Sequence, residues 1–209
     1  MMAKARFLSV EGGEGAGKST QIGALASAIR DAGYEVVVTR EPGGTEGAEA
    51  IRQLLLDGAA TRWGARSEAL LFAAARSDHV ERLIKPALAE GKWVISDRFL
   101  DSSRAYQGDG SGLNDADILK LHEIGSQGLL PDRTLMLELP EDEANRRAAR
   151  RDGNAADRIG GRDRIFHHRV HAAFHRFAQQ EPHRVKIIDA SGTFDEVARR
   201  MAAAISDYL

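Results

Sequence analysis

Residues 7–20 read Phe-Leu-Ser-Val-Glu-Gly-Gly-Glu-Gly-Ala-Gly-Lys-Ser-Thr. A short apolar run (Phe7, Leu8, Val10) leads directly into Gly12-x-x-x-x-Gly17-Lys18-Ser19. A helical apolar spacing then resumes at Ile22, Leu25, Ala26 and Ile29. Strand, glycine-rich loop and helix in that order form the context in which this pattern binds phosphate. Glycines let successive backbone N–H groups turn inward around an anion, and the helix N-terminus adds the positive end of its dipole. Lys18 then reaches the terminal phosphates and the Ser19 hydroxyl coordinates Mg²⁺. Gly12, Gly13, Glu14, Gly15, Ala16, Gly17, Lys18, Ser19 and Thr20 are therefore the candidate residues for holding a nucleoside triphosphate.

The rest of the 209-residue chain alternates apolar runs with helical patterns. Tyr34–Thr39, Lys92–Asp97, Arg133–Leu139 and Val185–Asp189 read as further buried strands. Helices are expected near Ala48–Leu56, over a long stretch from Ser67 to Ala89, and over 101–107 and 115–125. Val80, Leu83, Ile84, Ala87 and Leu88 carry the core-facing stripe of the long one. Pro86 lies inside it, where a helix bends or divides. Pro140 with Glu141, Asp142 and Glu143 suits a helix start, and Ser191 or Thr193 caps a closing helix. Such alternation predicts a single α/β domain over 1–209: a P-loop fold with a five-stranded parallel sheet, helices on both faces and ligands at the C-terminal strand edge.

Composition narrows the function. With 29 Lys and Arg against 31 Asp and Glu the formal net charge is −2, which argues against a general nucleic-acid binder. The chain has no cysteine, so neither disulfides nor Cys-based zinc sites arise. No apolar stretch approaches the roughly 18–20 residues needed to span a bilayer, and the N-terminus leaves no room for a signal peptide. A cytoplasmic protein without membrane or nucleic-acid partners is expected.

The loops after the strands choose among P-loop functions. No Asn is followed by Lys, so the guanine-reading Asn-Lys-x-Asp is absent, and Asp-x-x-Gly at Asp109 and Asp157 follows no apolar strand. The third strand ends instead in Asp97-Arg98. An arginine at that place suits a second phosphate group, which it grips bidentately. Arg146, Arg147, Arg150, Arg151, Arg158, Arg162 and Arg164 cluster around Gly153, Gly160 and Gly161. That pattern reads as a mobile lid over about 150–162, closing one or two arginines on a transferring phosphoryl group. Phe72 and Arg76 share a helix face, and Ser103, Tyr106 and Gln107 share another; together they provide a stacking plane and edge hydrogen bonds for a nucleobase. His167, His171 and His175 follow at i, i+4, i+8. With no cysteine and no metalloprotease glutamate beside them, they read as an exposed helix face.

These motifs in this order resemble the thymidylate kinase family, in its bacterial type with an acidic residue in the P-loop. They comprise Glu11-Gly-Gly-Glu-Gly-Ala-Gly-Lys-Ser, Thr39-Arg-Glu-Pro-Gly-Gly-Thr, Glu68 to Arg76, Ile84-Lys-Pro-Ala-Leu and Asp97-Arg98. Ser102-Ser-Arg-Ala-Tyr-Gln107, Pro131-Asp, Asp157-Arg158 and Ile188-Asp-Ala continue the likeness along essentially the whole chain. The resemblance implies phosphorylation of dTMP to dTDP by ATP, on the way to dTTP, with Mg²⁺ held by Ser19 and Asp97, in a homodimer. It implies that Arg98 holds the dTMP phosphate, Phe72 stacks on thymine, and Arg76 bonds the base edge with Ser103 and Gln107. Tyr106 then lies against the deoxyribose, where it crowds a 2′-hydroxyl, and Glu14 sits near the 3′-hydroxyl. The Arg40-Glu41-Pro42 loop lines the acceptor site. Catalytic roles fall to Lys18, Arg98, Glu14 and the lid arginines Arg150, Arg151 and Arg158. Gly160-Gly161 stand where the family usually carries an acidic residue. The alternatives are a kinase for another nucleoside monophosphate or a deoxynucleoside, and a P-loop regulatory protein without transfer activity.

Overall fold

The computed structural model describes residues 4–13, 15–59, 61–140, 143 and 162–209. Five strands, β1 (Phe7–Gly12), β2 (Val36–Arg40), β3 (Trp93–Asp97), β4 (Arg133–Glu138) and β5 (Val185–Asp189), form one sheet in the order β2-β3-β1-β4-β5. All four pairings are parallel. Parallel strands need crossover helices, so both faces are covered. Alternation along the strands sorts the side chains. Leu8, Val10, Ile95, Leu135 and Leu137 pack with Ile22, Leu25 and Ile29 of α1 (Lys18–Asp31) and with Val197 and Met201 of the closing helix α8 (Phe194–Ala203). Phe7 and Val94 face the other way, toward Val80, Ile84, Phe99 and Ile118. Met136 joins Phe166, Val170, Phe174 and Phe177 of α7 (Arg164–Gln180).

Element boundaries follow local chemistry. The second strand starts at Val36 because Tyr34 turns to pack on Trp93, ring centroids 5.0 Å apart. Helix α2 (Glu46–Leu56) begins two residues before the expected Ala48, since the Thr45 hydroxyl accepts from the Ala48 N–H at its N-terminus. Thr193 caps α8 in a reciprocal box with Glu196. Of the helix expected after Pro140, Glu141 and Asp142 lie outside the described residues.

Two helices contain wide turns with i→i+5 hydrogen bonding that a 3.6-residue period does not anticipate. Helix α3 (Ala65–His79) passes through such a turn at Val80–Ile84 into α4 (Lys85–Ala89). The Lys85 N–H bonds back to the Val80 carbonyl. Pro86 supplies no N–H for an ordinary rung, so the wide turn sits where the ladder is already interrupted. Helix α5 (Leu100–Ser103) likewise runs into a wide turn over Arg104–Gly110, ahead of α6 (Asp115–Ser126).

Candidate active site

The C-terminal ends of β1, β3 and β4 open into one cleft of about 1450 Å³. Its wall includes Gly13, Gly15, Ala16, Gly17, Lys18, Ser19 and Thr20. Gly12 lies at φ 148°, and a Cβ there would stand 2.8 Å from the Leu137 carbonyl oxygen. Only glycine lets β1 turn out of the sheet so close to β4. Gly17 adopts a left-handed conformation immediately before α1. Lys18 Nζ donates to the Gly12 and Gly13 carbonyls at 2.9 and 3.1 Å, folded back across the loop that it also terminates. Glu14 lies outside the described residues.

Arg98, just past the end of β3 and beside the end of β1, lines the same cleft and has φ 69°. A left-handed conformation is costly for a side chain with a Cβ and persists where neighbours enforce it. Its N–H donates to the Val10 carbonyl (3.0 Å), and its Nη1 donates to Ser102 Oγ (3.1 Å) and, more weakly, to Tyr106 Oη (3.4 Å). Burial disfavours the guanidinium charge, but the Tyr106 oxygen, Glu11 and Asp97 more than offset that and hold its pKa above the usual range. Glu11 is the support beneath it. One oxygen accepts from the Phe99 N–H (2.8 Å) and the other from Ser102 Oγ (2.5 Å). Burial pushes the Glu11 carboxyl up to about 7, against the pull of Arg98.

The third wall carries Arg40, Glu41, Pro42, Phe72, Tyr106 and Gln107. Arg40 is exposed and pairs with Glu49 (3.0 Å). Phe72 is only half-buried, a large aromatic left on the cleft rather than packed away. Arg76 and Ser103 stand behind this wall. The Arg76 Nε donates to Glu41 (2.7 Å), and its Nη2 to Ser103 Oγ (2.8 Å) and the Phe99 carbonyl (3.1 Å). Glu41's other oxygen meets His79 Nδ1 at 3.0 Å, and the far ring nitrogen meets Thr39 Oγ1 at 2.7 Å. Ser103 and Gln107 thus point toward α3, whereas Tyr106 turns to Arg98. The wide turn at Arg104–Gly110 separates side chains that an α-helical period places on one face.

Several participants were not singled out by pattern alone. Glu68 accepts from Gln107 Nε2 (2.9 Å) and from Arg162 Nη2 (2.7 Å), joining α3, the wide turn after α5 and the second residue before α7. It precedes Phe72 and Arg76 at i−4 and i−8, a helical spacing that places it on their face. Glu11 had its own signal, a carboxylate within an apolar strand. Arg162 reaches Ser111 and Glu68, while Arg146, Arg147, Arg150, Arg151, Asp157, Arg158, Gly160 and Gly161 of the expected lid lie outside the described residues.

The cleft suits a hard divalent cation. Ser19 follows Lys18 at the start of α1, and Asp97 lines the same cleft with its Oδ1 buried and unpartnered among the described residues. An orphaned buried carboxylate oxygen and a hydroxyl lining one cleft are oxygen donors of the kind Mg²⁺ prefers.

A glycine-rich loop at the head of a helix and an arginine at the end of the neighbouring strand, both lining one cleft, have the form of a P-loop kinase. The family is specific. The thymidylate kinase model matches residues 10–201, and the chain belongs to that family. It is 57% identical over 204 residues to a thymidylate kinase of Rhizorhabdus wittichii, covering 98% of each chain. It is 49% identical over 208 residues to one from Caulobacter vibrioides, covering 100% of this chain and 97% of that one. The solved structure of an Ehrlichia chaffeensis thymidylate kinase matches at TM-score 0.76 and 32% identity, over 96% of this chain and 98% of that one.

Proposed function

We propose a division of labour in the cleft for the reaction this chain catalyses as a thymidylate kinase, transfer of the ATP γ-phosphoryl group to dTMP to give dTDP. The ATP phosphates lie in the loop from Gly12 to Thr20, with Glu14 near the acceptor sugar. The dTMP phosphate meets Arg98, thymine stacks on Phe72, and Tyr106 lies against the deoxyribose. Arg76 is held in one orientation by Glu41 and Ser103, and the Nη1 that these bonds leave over addresses the base edge with Gln107. The observation that carries this reading is that Arg98 and the glycine-rich loop line one continuous cleft.

The nucleophile is a phosphate oxygen of dTMP. A phosphomonoester has its second pKa near ~6 and is largely dianionic at neutral pH, so no general base is needed. The barrier lies in aligning two anions, and the residues act by positioning and charge neutralisation. Lys18 and Arg98 serve that purpose within the cleft, joined by Arg150, Arg151 or Arg158 from a lid at about 150–162. Ser19 and Asp97 would hold Mg²⁺, which when bound with ATP offsets the negative charge of its phosphates.

A panel of nucleoside monophosphates in a coupled ADP-release assay tests the reading. Turnover fastest with dTMP supports it, and failure of dTMP as a substrate sinks it. A regulatory nucleotide-binding protein would turn over none of them.

The 209 residues are read as one domain acting as a homodimer. Exposed Leu70 on α3 and exposed Leu119 and Ile124 on α6 support the dimer by leaving apolar side chains on the surface of two packed helices. A monomeric mass by light scattering at micromolar concentration would count against it. Among the described residues no helix is long and apolar enough to cross a membrane, which supports a cytoplasmic enzyme.

A further inference from the structure

The histidine row on α7 has a partner that its own sequence neighbourhood does not contain. Glu138, the last residue of β4, points one carboxylate oxygen at both His171 Nε2 and His175 Nε2, each 2.6 Å away. The two rings stand 4.6 Å apart between centroids, and the three candidate donor atoms lie within 4.8 Å of one another. His167, one turn earlier, is not in the cluster.

We propose that Glu138, His171 and His175 form a binding site for a zinc-type divalent cation on the wall of the nucleotide cleft. Two imidazoles and one carboxylate are a donor set suited to Zn²⁺, whereas Mg²⁺ prefers oxygen alone. Three donors bonded to one zinc ion at ~2.1 Å stand roughly 3.4 Å apart in a tetrahedral arrangement. The two 2.6 Å contacts need only open by less than an ångström or so to admit the ion. The i, i+4 spacing keeps both imidazoles on one face of a 17-residue helix, so little chain entropy is lost in bringing them together. His171 and His175 are 50% and 41% exposed, which leaves an entry path and an open fourth position for water. Asp189, the register partner of Glu138 on β5, lines the same cleft and adds negative charge nearby. The bound ion ties α7 to the end of β4.

The test uses the full chain, stripped with chelator and titrated with Zn²⁺ by calorimetry without nucleotide. One ion per chain is expected, with millimolar Mg²⁺ failing to displace it. Glu138→Gln, His171→Ala and His175→Ala each weaken binding by roughly tenfold or more. His183→Ala, an exposed histidine on the turn before β5, leaves binding unchanged. Zn²⁺ raises the Tm of the parent chain, and that rise is absent in the His171→Ala/His175→Ala double variant. Absence of saturable binding, displacement by Mg²⁺, or binding that survives loss of all three side chains overturns the site. Circular dichroism of each variant before titration separates lost ligands from lost fold.

Discussion

Arg98 combines an uncommon backbone conformation with a partly buried charge on the wall of the cleft, beside the strand that feeds the glycine-rich loop. Replacing Arg98 with Ala is expected to lower kcat/KM for dTMP by roughly 10²-fold or more, the scale for removing a donor to transferring charge, with ATP binding retained. Near-normal kcat/KM would contradict its role. Glu11 carries an expectation of opposite sign from most carboxylates. Its pKa moves from 4.5 to about 7 on folding, so the folded chain keeps a proton that the unfolded chain has released. Its contribution therefore falls as pH rises from about 4.5 to 7, by on the order of 3 kcal/mol. The stability difference between the parent chain and Glu11→Gln should shift by that amount between these pH values in urea melts. A difference that stays flat with pH would show that Glu11 titrates normally. Arg76 pairs with the equally buried Glu41, and Arg76→Ala strands that carboxylate. A loss of about 3–5 kcal/mol is expected, together with weaker preference for dTMP over dCMP. Unchanged discrimination would remove Arg76 from base recognition.

At the scale of elements, the site depends on how α3, α5 and α7 meet. Glu68 of α3 gathers Gln107 and Arg162, and Gly110 closes the wide turn of α5 directly under Phe166. A Cβ at Gly110 would stand 2.6 Å from the Phe166 ring. Gly110→Ala should therefore push α7 away from α5 and cost about 1–3 kcal/mol, read as a lower Tm and a raised KM for dTMP. A variant as stable as the parent would mean that Phe166 swings aside freely. The wide turns also explain which side-chain groupings periodicity predicted and which it did not. Phe72 and Arg76 lie within the regular part of α3, but Ser103, Tyr106 and Gln107 straddle the change of helical period.

On the scale of the whole molecule, Asp101 joins pieces far apart in the chain. Fully buried, it accepts from Arg184 (2.6 and 2.8 Å), Arg104 (3.2 Å) and the Thr134 hydroxyl (2.9 Å). Burial opposes its charge, but Arg184, Arg104 and Thr134 prevail and hold its carboxyl below the ordinary 3.8. The stabilisation is complete above that pH and is lost as pH falls through the folded-state value. Asp101→Asn removes the charge that both arginines face. It should cost about 3–5 kcal/mol at neutral pH, a loss that shrinks toward the acid limit where the parent is protonated too. Acid titration of the two proteins by fluorescence checks both the size and the sign.

The phosphate loop, the five strands and the Asp97-Arg98 strand end were legible along the chain, because apolar period and turn chemistry act over a few neighbouring residues. Phe72 and Tyr106 were legible as candidates for the same reason. Which groups meet was decided only by tertiary packing. The sequence places Glu138 and His175 37 positions apart, and β4 brings them together against α7. It places Glu11 and Ser102 91 positions apart, and the register of β1 beside β3 joins them. Local pattern therefore supplied the parts of a nucleotide kinase. The packing of helices across a parallel sheet determined which carboxylates support its arginines.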